Sequence, residues 1–207
     1  MATSLLDVSD LACRRGGRKV FERLSFGLAA GELLALVGRN GSGKTTLLRA
    51  LALLLPPDAG RILWQGVNIQ QDCETWRSRL AWLGHLDGLK GDLTVRENLL
   101  ASQRLRGAPS AEDRLDLALV AFDLSGLATR PVRTLSAGQR RRTALARVAL
   151  SQAPLWLLDE PLNALDATAR SALREVLDKH LAAGGLAIAA THAELGVPGA
   201  RELRFSA

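Results

Sequence analysis

Residues 38–45 of the chain read Gly38-Arg39-Asn40-Gly41-Ser42-Gly43-Lys44-Thr45, which fits the pattern G-x-x-x-x-G-K-[ST]. The segment lies between an apolar run at residues 33–37 and a helix-like stretch that begins at Thr46. Its glycines allow successive backbone N–H groups to point inward, and the dipole of a following helix adds positive potential. The sequence therefore predicts a strand, a phosphate-binding loop and a helix, with a nucleotide polyphosphate as the ligand.

Two side chains of this loop have chemistry of their own. We expect Lys44 to reach the terminal phosphates as a point charge, and Thr45 to offer its hydroxyl to a magnesium ion. The residues predicted to bind nucleotide in and after the loop are Gly38, Arg39, Asn40, Gly41, Ser42, Gly43, Lys44, Thr45 and Thr46.

The composition is that of a globular protein. At 207 residues, 47% hydrophobic and 23% charged, the chain can form one domain with a substantial core. Its longest apolar stretch, near residues 50–55, is far shorter than the ~18 residues of a membrane span. Residues 1–10 lack the pattern of a cleaved secretory signal, so we expect a cytosolic compartment. Cys13 and Cys73 are too far apart for a metal-binding pattern, and we expect them to be buried or idle thiols.

The net charge of +6 would suit an anionic partner such as nucleic acid. The arginines are scattered, however, and aromatic residues make up 4% of the chain with no tyrosine, which leaves few platforms for base stacking. We therefore expect no nucleic-acid binding. Arg140 to Arg142 form one tight run, which could be a basic patch but which we interpret as the solvated face of a helix.

Short apolar strands alternate with helical patterns along the chain, which predicts an α/β fold. Between about residues 86 and 150 the pattern is helical only, with possible capping boxes at Thr94/Glu97 and Ser110/Asp113. We expect strands at residues 5–11, 25–29, 33–37, 61–64, 80–83, 155–158 and 186–190, and helices at 44–55 and about 167–183.

A second chemical feature is Leu155-Trp156-Leu157-Leu158-Asp159-Glu160, an apolar strand that ends in two carboxylates. Ligands of parallel sheets collect at the carboxyl ends of the strands. We therefore expect Asp159 to complement Thr45 at magnesium, directly or through water, and Glu160 to polarise or orient an attacking water.

Leu135-Ser136-Ala137-Gly138-Gln139 resembles the signature sequence of ATP-binding cassette proteins, with Ala137 where most members carry glycine. Taken alone, Ser136 also fits a helix N-cap, and both interpretations can hold at once. In that family, two chains arranged head to tail enclose two ATP molecules, each between the phosphate loop of one chain and the signature of the other. The resemblance thus implies a homodimer in which Leu135, Ser136, Ala137, Gly138 and Gln139 contact ATP in trans.

The resemblance extends over nearly the whole chain. Asn163-Ala164-Leu165-Asp166 is similar to the family's D-loop, which places Asp166 at the dimer seam, and His192 is similar to the switch histidine that contacts the terminal phosphate. A lone histidine after a strand is more often structural, but its place in the motif order favours the switch role. The family implies an ATPase with Lys44, Glu160 and His192 as catalytic residues.

The same family implies the architecture. It predicts a P-loop NTPase core with a mixed sheet, an N-terminal antiparallel β region and an inserted helical subdomain. We expect one ATP-binding domain over residues 1–207, with a RecA-like core at about 1–85 and 151–207 and the helical subdomain at about 86–150.

Two positions depart from the family pattern. Gly84-His85 follows the strand at 80–83, where most cassette ATPases have glutamine. Neutral imidazole is a poor magnesium ligand, so we expect His85 to contact the metal only through water. The aromatic residue that usually stacks on adenine is replaced near Arg15, whose guanidinium could stack on the base or could equally be an exposed charge.

Gly84-His85, the Leu63-Trp64-Gln65-Gly66 turn, the signature and the short length resemble the ATP-binding subunits of cytochrome c maturation systems, which are described as haem exporters. That resemblance implies a peripheral protein on the cytoplasmic face of the bacterial inner membrane, bound to integral membrane subunits. Its ATP hydrolysis would drive haem export or the release of a haem-loaded periplasmic chaperone, and the residues leave the cargo open.

The first alternative is a cassette subunit for a drug, lipid or polysaccharide. The second is a soluble cassette protein that acts on ribosomes or DNA. Such proteins usually carry two cassettes or long insertions.

Overall fold

The computed structural model describes residues 4–107 and 112–205. The strands are β1 Ser4–Arg15, β2 Arg18–Ala29, β3 Leu33–Gly38, β4 Ala59–Trp64, β5 Val67–Asn68, β6 Leu80–Leu83, β7 Leu155–Asp159, β8 Leu186–Ala190 and β9 Arg201–Phe205. The helices are α1 Lys44–Leu51, α2 Cys73–Ser78, α3 Val95–Leu105, α4 Glu112–Ala121, α5 Ala137–Leu150 and α6 Ala167–Ala182. Short 3-10 turns lie at Ser125–Leu127 and Val132–Thr134.

A parallel sheet of five strands, in the order β6-β7-β8-β3-β9, forms the centre of the fold. Strands β7 and β8 are buried along their whole length, as parallel strands covered on both faces must be. In the register of the sheet, Asp159 lies opposite Ala190, and Ala190 lies opposite Leu36. The carboxyl ends of β7, β8 and β3 therefore meet at one edge.

A second, antiparallel sheet has the order β2-β1-β4-β5. The predicted α/β fold and N-terminal antiparallel region are confirmed. Each ladder described in the central sheet is parallel, and each ladder described in the second sheet is antiparallel.

Each face of the central sheet supports its own hydrophobic cluster, because side chains alternate along a strand. Leu155 and Leu157 pack with α1 and the antiparallel sheet. Trp156 and Leu158 pack on the other face with residues of α3, α4, α5 and α6. The helical stretch is thus anchored to the sheet by a continuous apolar core. Among the described residues, no helix is both long and apolar enough to cross a bilayer.

Several elements match the expected positions closely, and others do not. β6 and β8 have the expected bounds, and the Thr94/Glu97 capping box is present at α3. The box predicted at Ser110/Asp113 includes Ser110, which lies outside the described residues. Helix α1 ends at Leu51 rather than at residue 55, since Leu53 has a left-handed φ of 53°.

Three short elements were not predicted: β5, α2 and β9. Three of the five residues of β9 are charged and it lies at the sheet edge, so it lacks the apolar run of a central strand. Strands β1 and β2 also extend beyond their predicted bounds. Both cysteines are free, and burial raises the pKa of the Cys13 thiol, which keeps it protonated.

At the opposite end of the sheet from the phosphate loop, His180 packs flat on Trp156 with a centroid distance of 3.9 Å and an interplanar angle of 11°. Its Nε2 lies 3.1 Å from the carbonyl oxygen of Leu186. A carbonyl only accepts, so Nε2 carries the proton. Burial lowers the pKa of His180 below its ordinary value of 6.5 and favours the neutral ring.

This histidine gives a pH-dependent contribution to stability. The unfolded chain binds the proton more readily than the folded chain, so the contribution is present above pH 6.5 and is lost as the pH falls below it. We expect His180→Gln, which keeps a donor for Leu186 but does not titrate, to lose less stability than wild type between pH 7.5 and 5. Denaturant unfolding at several pH values measures this difference, and parallel losses in the two proteins would contradict it.

Candidate functional site

The loop between β3 and α1 has the geometry that its glycines predict. Gly43, the N-cap of α1, has a φ of 113°, and a Cβ there would lie 2.7 Å from Cγ1 of Val20. At Gly38 the φ is 152° and a Cβ would lie 2.6 Å from the carbonyl oxygen of Phe205. Both positions therefore require glycine, for backbone conformation and for space.

Lys44 is buried in the loop. Its Nζ donates to the carbonyl oxygens of Gly38 at 2.7 Å and Arg39 at 3.1 Å, and it lies 3.3 Å from Nε2 of His192. The Ser42 hydroxyl is buried and has no hydrogen-bond partner among the described residues. A cationic centre with a spare hydroxyl beside it fits a phosphate group.

Thr45 and Asp159 meet across the end of the sheet. The Thr45 hydroxyl donates to the Asp159 carboxylate at 2.9 and 3.1 Å from its two oxygens, and Asp159 is 3% exposed. Oxygen donors of this kind suit Mg²⁺, which usually takes one or two protein ligands and completes its shell with phosphates and water. No cluster of three or more metal-binding side chains exists in the described ranges, so an all-protein cage is not present there.

Glu160 and His192 face each other at the mouth of the same site, with Oε1 of Glu160 3.1 Å from Nε2 of His192. Glu160 has a left-handed φ of 49°, a conformation that costs a non-glycine residue about 1–3 kcal/mol. Its N–H donates to the carbonyl oxygen of Ala190 at 2.8 Å, which ties it to the end of β8. The surrounding structure thus holds this carboxylate in a fixed direction.

These groups open onto one cleft with a volume of about 1160 Å³. His85 and Arg15 line it, so the structure brings both departures from the family pattern to the site. The other lining residues are Arg18, Lys19, Val20, Arg39, Asn40, Gly41, Ser42, Gly43, Lys44, Thr45, Thr46, Arg49, Asp159, Glu160, Asn163 and His192. Sequence reasoning missed Arg18, Lys19, Val20 and Arg49, and it placed Asn163 in the D-loop without predicting that it lines the cleft. The basic side chains among them add a positive field that attracts a polyphosphate.

The signature segment lies elsewhere on the same chain. Ser136 is the N-cap of α5, as the cap interpretation expected, and it also forms a capping box with Gln139. None of the residues from 135 to 139 lines the cleft described above. Asp166 is exposed and caps α6, since its Oδ1 accepts from the Ala169 N–H at 2.8 Å.

The sequence-based interpretation of Arg140 to Arg142 as a solvated helix face is wrong for Arg141. This residue is 4% exposed and donates into the end of the central sheet. Arg142 instead donates to Asp123 and to the carbonyl oxygen of Phe122. The available signal was helical spacing, because Arg141 is four and seven residues before the buried Leu145 and Val148.

The family model described as "ABC transporter" matches residues 21–163, and this span includes the phosphate loop, the signature, Asp159 and Glu160. The chain belongs to the ABC transporter family. It is therefore an ATP-binding ATPase of the ABC type.

Curated relatives match over nearly the full length. The "Cytochrome c biogenesis ATP-binding export protein CcmA" of Paramagnetospirillum magneticum is 48% identical, covering 99% of this chain and 95% of that one. The protein of the same name from Methylococcus capsulatus is 44% identical and covers 100% of both chains.

Solved structures agree with the fold. A putative ABC transporter ATP-binding protein from Pyrococcus furiosus superposes with a TM-score of 0.85 at 26% identity, covering 97% of this chain and 96% of that one. A structure titled "Structure of ATP binding subunit of ABC transporter" gives a TM-score of 0.84 at 30% identity, covering 91% and 80% of the two chains.

The start of α5 contacts the loop before α6 so closely that Gly138 has no room for a side chain. A Cβ at Gly138 would lie 2.8 Å from the carbonyl oxygen of Ala164. We expect Gly138→Ala to lower the free energy of unfolding by about 1 kcal/mol or more, despite the better helix propensity of alanine.

Gly126→Ala is the matched control, because a Cβ there meets no atom within 4 Å. We expect it to change stability by less than about 0.5 kcal/mol. Denaturant unfolding compares the two variants, and a Gly138→Ala protein as stable as wild type would mean that α5 and the Ala164 loop separate freely.

Proposed function

We propose that this chain is the ATP-hydrolysing subunit of an ABC transporter complex for cytochrome c biogenesis. Its ATP hydrolysis would be coupled to haem export or to the release of a haem-loaded periplasmic chaperone. The observation that carries the ATPase part is the convergence of Lys44, Thr45, Asp159, Glu160 and His192 on one cleft. The cytochrome c part is supported by full-length similarity to proteins named for that process.

In this proposal the loop residues 38–46 hold the phosphates through backbone N–H groups, and Lys44 neutralises the terminal phosphates. Thr45 and Asp159 would hold Mg²⁺, which when bound neutralises charge on the transferred phosphoryl group. Their present hydrogen bond already places the Thr45 hydroxyl 2.9 and 3.1 Å from the two carboxylate oxygens of Asp159. Little rearrangement is then required of the protein.

Glu160 is proposed to accept a proton from the attacking water, or to orient that water in line with the terminal phosphate. His192 is proposed to contact the same phosphate, since its Nε2 lies between Lys44 and Glu160. Lys44, Glu160 and His192 are thus the proposed catalytic residues. Positioned charges provide most of the rate in such phosphoryl transfers.

We assign roles to His85 and Arg15, the two positions that depart from the family pattern, from their place in the cleft. His85 is exposed there and would act on the metal through a water molecule. Arg15 lines the same cleft and would stack its planar guanidinium on the base.

The signature residues are proposed to bind ATP held by a second copy of the chain. Ser136 and Ala137 are exposed at the start of α5, where N–H groups and the helix dipole favour an anion. They lie outside the cleft of their own chain, which supports a contact in trans. Asp166 lies two residues after Ala164 and is also exposed. It is proposed to lie at the seam of this homodimer.

We propose further that residues 1–207 act as one ATP-binding domain, with a core at about 1–85 and 151–207 and a helical subdomain at about 86–150. Integral membrane subunits would hold it at the cytoplasmic face of the bacterial inner membrane, with no role for nucleic acid. A transporter for another cargo remains the second candidate, because the site residues recognise ATP and not the cargo.

The catalytic role of the Glu160 carboxylate can be tested by replacing it with an amide of the same size. We expect Glu160→Gln to bind ATP with an affinity within about threefold of wild type and to lose about 100-fold or more in kcat, because only the carboxylate accepts a proton. Lys44→Ala is the contrasting variant, since we expect it to weaken ATP binding itself. Equal hydrolysis by wild type and Glu160→Gln would remove Glu160 from its catalytic role.

The cargo can be tested in cells. We expect detergent extracts of membranes to yield this chain together with integral membrane proteins. Deletion should leave c-type cytochromes without covalent haem, and a plasmid with the wild-type chain should restore them where the Glu160→Gln chain does not. Normal cytochrome c in the deletion strain, measured by haem staining, would favour another cargo while leaving the ATPase intact.

A further inference from the structure

Among the arginines of the signature helix, the buried Arg141 is the one that donates to Asp159 and Glu160 at the carboxyl end of β7. Its Nη2 donates to the carbonyl oxygens of Asp159 at 2.6 Å and Glu160 at 2.7 Å. Its Nη1 donates to the carbonyl oxygen of Gly84 at 2.9 Å and to Oδ1 of Asp87 at 3.0 Å. All four acceptors belong to segments that follow β6 or end β7.

We propose that Arg141 is a positioning residue for ATP hydrolysis, which fixes the direction of Glu160 and links it to the signature helix and to the His85 segment. This inference rests on the proposed function, because it assigns to Arg141 an effect that is exerted through Glu160. Arg141 does not line the cleft and is not itself a catalytic residue.

The backbone of Glu160 explains why such a support is needed. Its left-handed φ of 49° is maintained only if neighbouring contacts hold the peptide on both sides. Ala190 accepts from the N–H of Glu160, and Arg141 donates to its carbonyl oxygen. Without the guanidinium, the peptide after Glu160 loses a charged donor, and the carboxylate direction is no longer fixed from that side.

The charge of Arg141 indicates that its contacts with these acceptors do more than fill space. The charge of a side chain that is 5% exposed needs compensation, and in the part of the chain that the structure describes only one carboxylate, Asp87, pairs with it. The rest of the compensation comes from three carbonyl oxygens, whose positions the cation thereby fixes. Its Nε has no partner among the described residues, so the side chain is oriented entirely by its two terminal nitrogens.

The position of Arg141 on α5 connects two regions of the proposed dimer. It lies five residues after the N-cap Ser136, which is about 7.5 Å along the helix axis. A helix of this length moves as a rigid rod, so a shift of its N-terminus on binding the partner's ATP would move the guanidinium. The contact that supports Glu160 would then respond to engagement of the signature.

The test compares Arg141→Gln with Arg142→Gln in the full chain, alone and co-purified with its membrane partners. Arg142 is the matched control because it lies next on the same helix and hydrogen-bonds only to Phe122 and Asp123 among the described residues. A misplacement of about 1 Å can cost on the order of 100-fold in rate. We expect kcat of Arg141→Gln to fall about 10- to 100-fold, with KM for ATP and the affinity for a non-hydrolysable ATP analogue within about threefold of wild type.

Arg141→Lys adds a conservative variant that keeps the charge but cannot bridge both sets of acceptors. We expect its kcat to lie between those of wild type and Arg141→Gln. If Arg141→Gln fails to fold, the comparison of Arg141→Lys with Arg142→Lys at equal melting temperature decides the question. Equal kcat values in either matched pair would overturn the inference.

A double variant separates positioning from general stability. If Arg141 acts through Glu160, then adding Arg141→Gln to Glu160→Gln should lower the residual single-turnover rate by less than about threefold. Full additivity of the two losses would overturn the inference. Failure of the proposed function looks different, because Glu160→Gln alone would then hydrolyse ATP at the wild-type rate.

Discussion

Parallel pairing of β7, β8 and β3 is the constraint on which the site depends. The register places Asp159 opposite Ala190 and Ala190 opposite Leu36, so three strands end side by side. The phosphate loop follows β3, the two carboxylates lie at the end of β7, and His192 follows β8. Thr45 and Asp159 are separated by 114 residues and still share a hydrogen bond of 2.9 Å.

The two hydrophobic clusters maintain that register. Leu155 and Leu157 point to one cluster, and Trp156 and Leu158 point to the other. A shift of one residue in β7 would exchange these sets and would also move Asp159 away from Thr45. Core packing and site geometry are therefore set by the same strand, so the site is as rigid as the core that supports it.

Signature helix α5 joins this edge to residues 135–139, which do not line the cleft. Its first turn contacts the Ala164 loop through Gly138, and its second turn inserts Arg141 beneath Asp159 and Glu160. The helix thus contacts the backbone at both ends of the segment 160–164. In the proposed dimer, this arrangement lets the pocket of one chain sense how the start of its own α5 is engaged by the other chain.

The sequence alone determined the loop at residues 38–45, the capping box at Thr94, the N-cap at Ser136 and the apolar strands, because each depends on residues close together in the chain. Only the tertiary structure decided the burial of Arg141, the strand β9 and the positions of Arg18, Lys19 and Arg49 in the cleft. Helical spacing could have indicated that Arg141 is buried, but its acceptors could not be predicted, because Gly84 and Asp159 lie 57 and 18 residues away and such partners leave no local pattern. β9 was missed for a related reason, since a charged edge strand is specified by the neighbour it pairs with rather than by its own hydrophobicity.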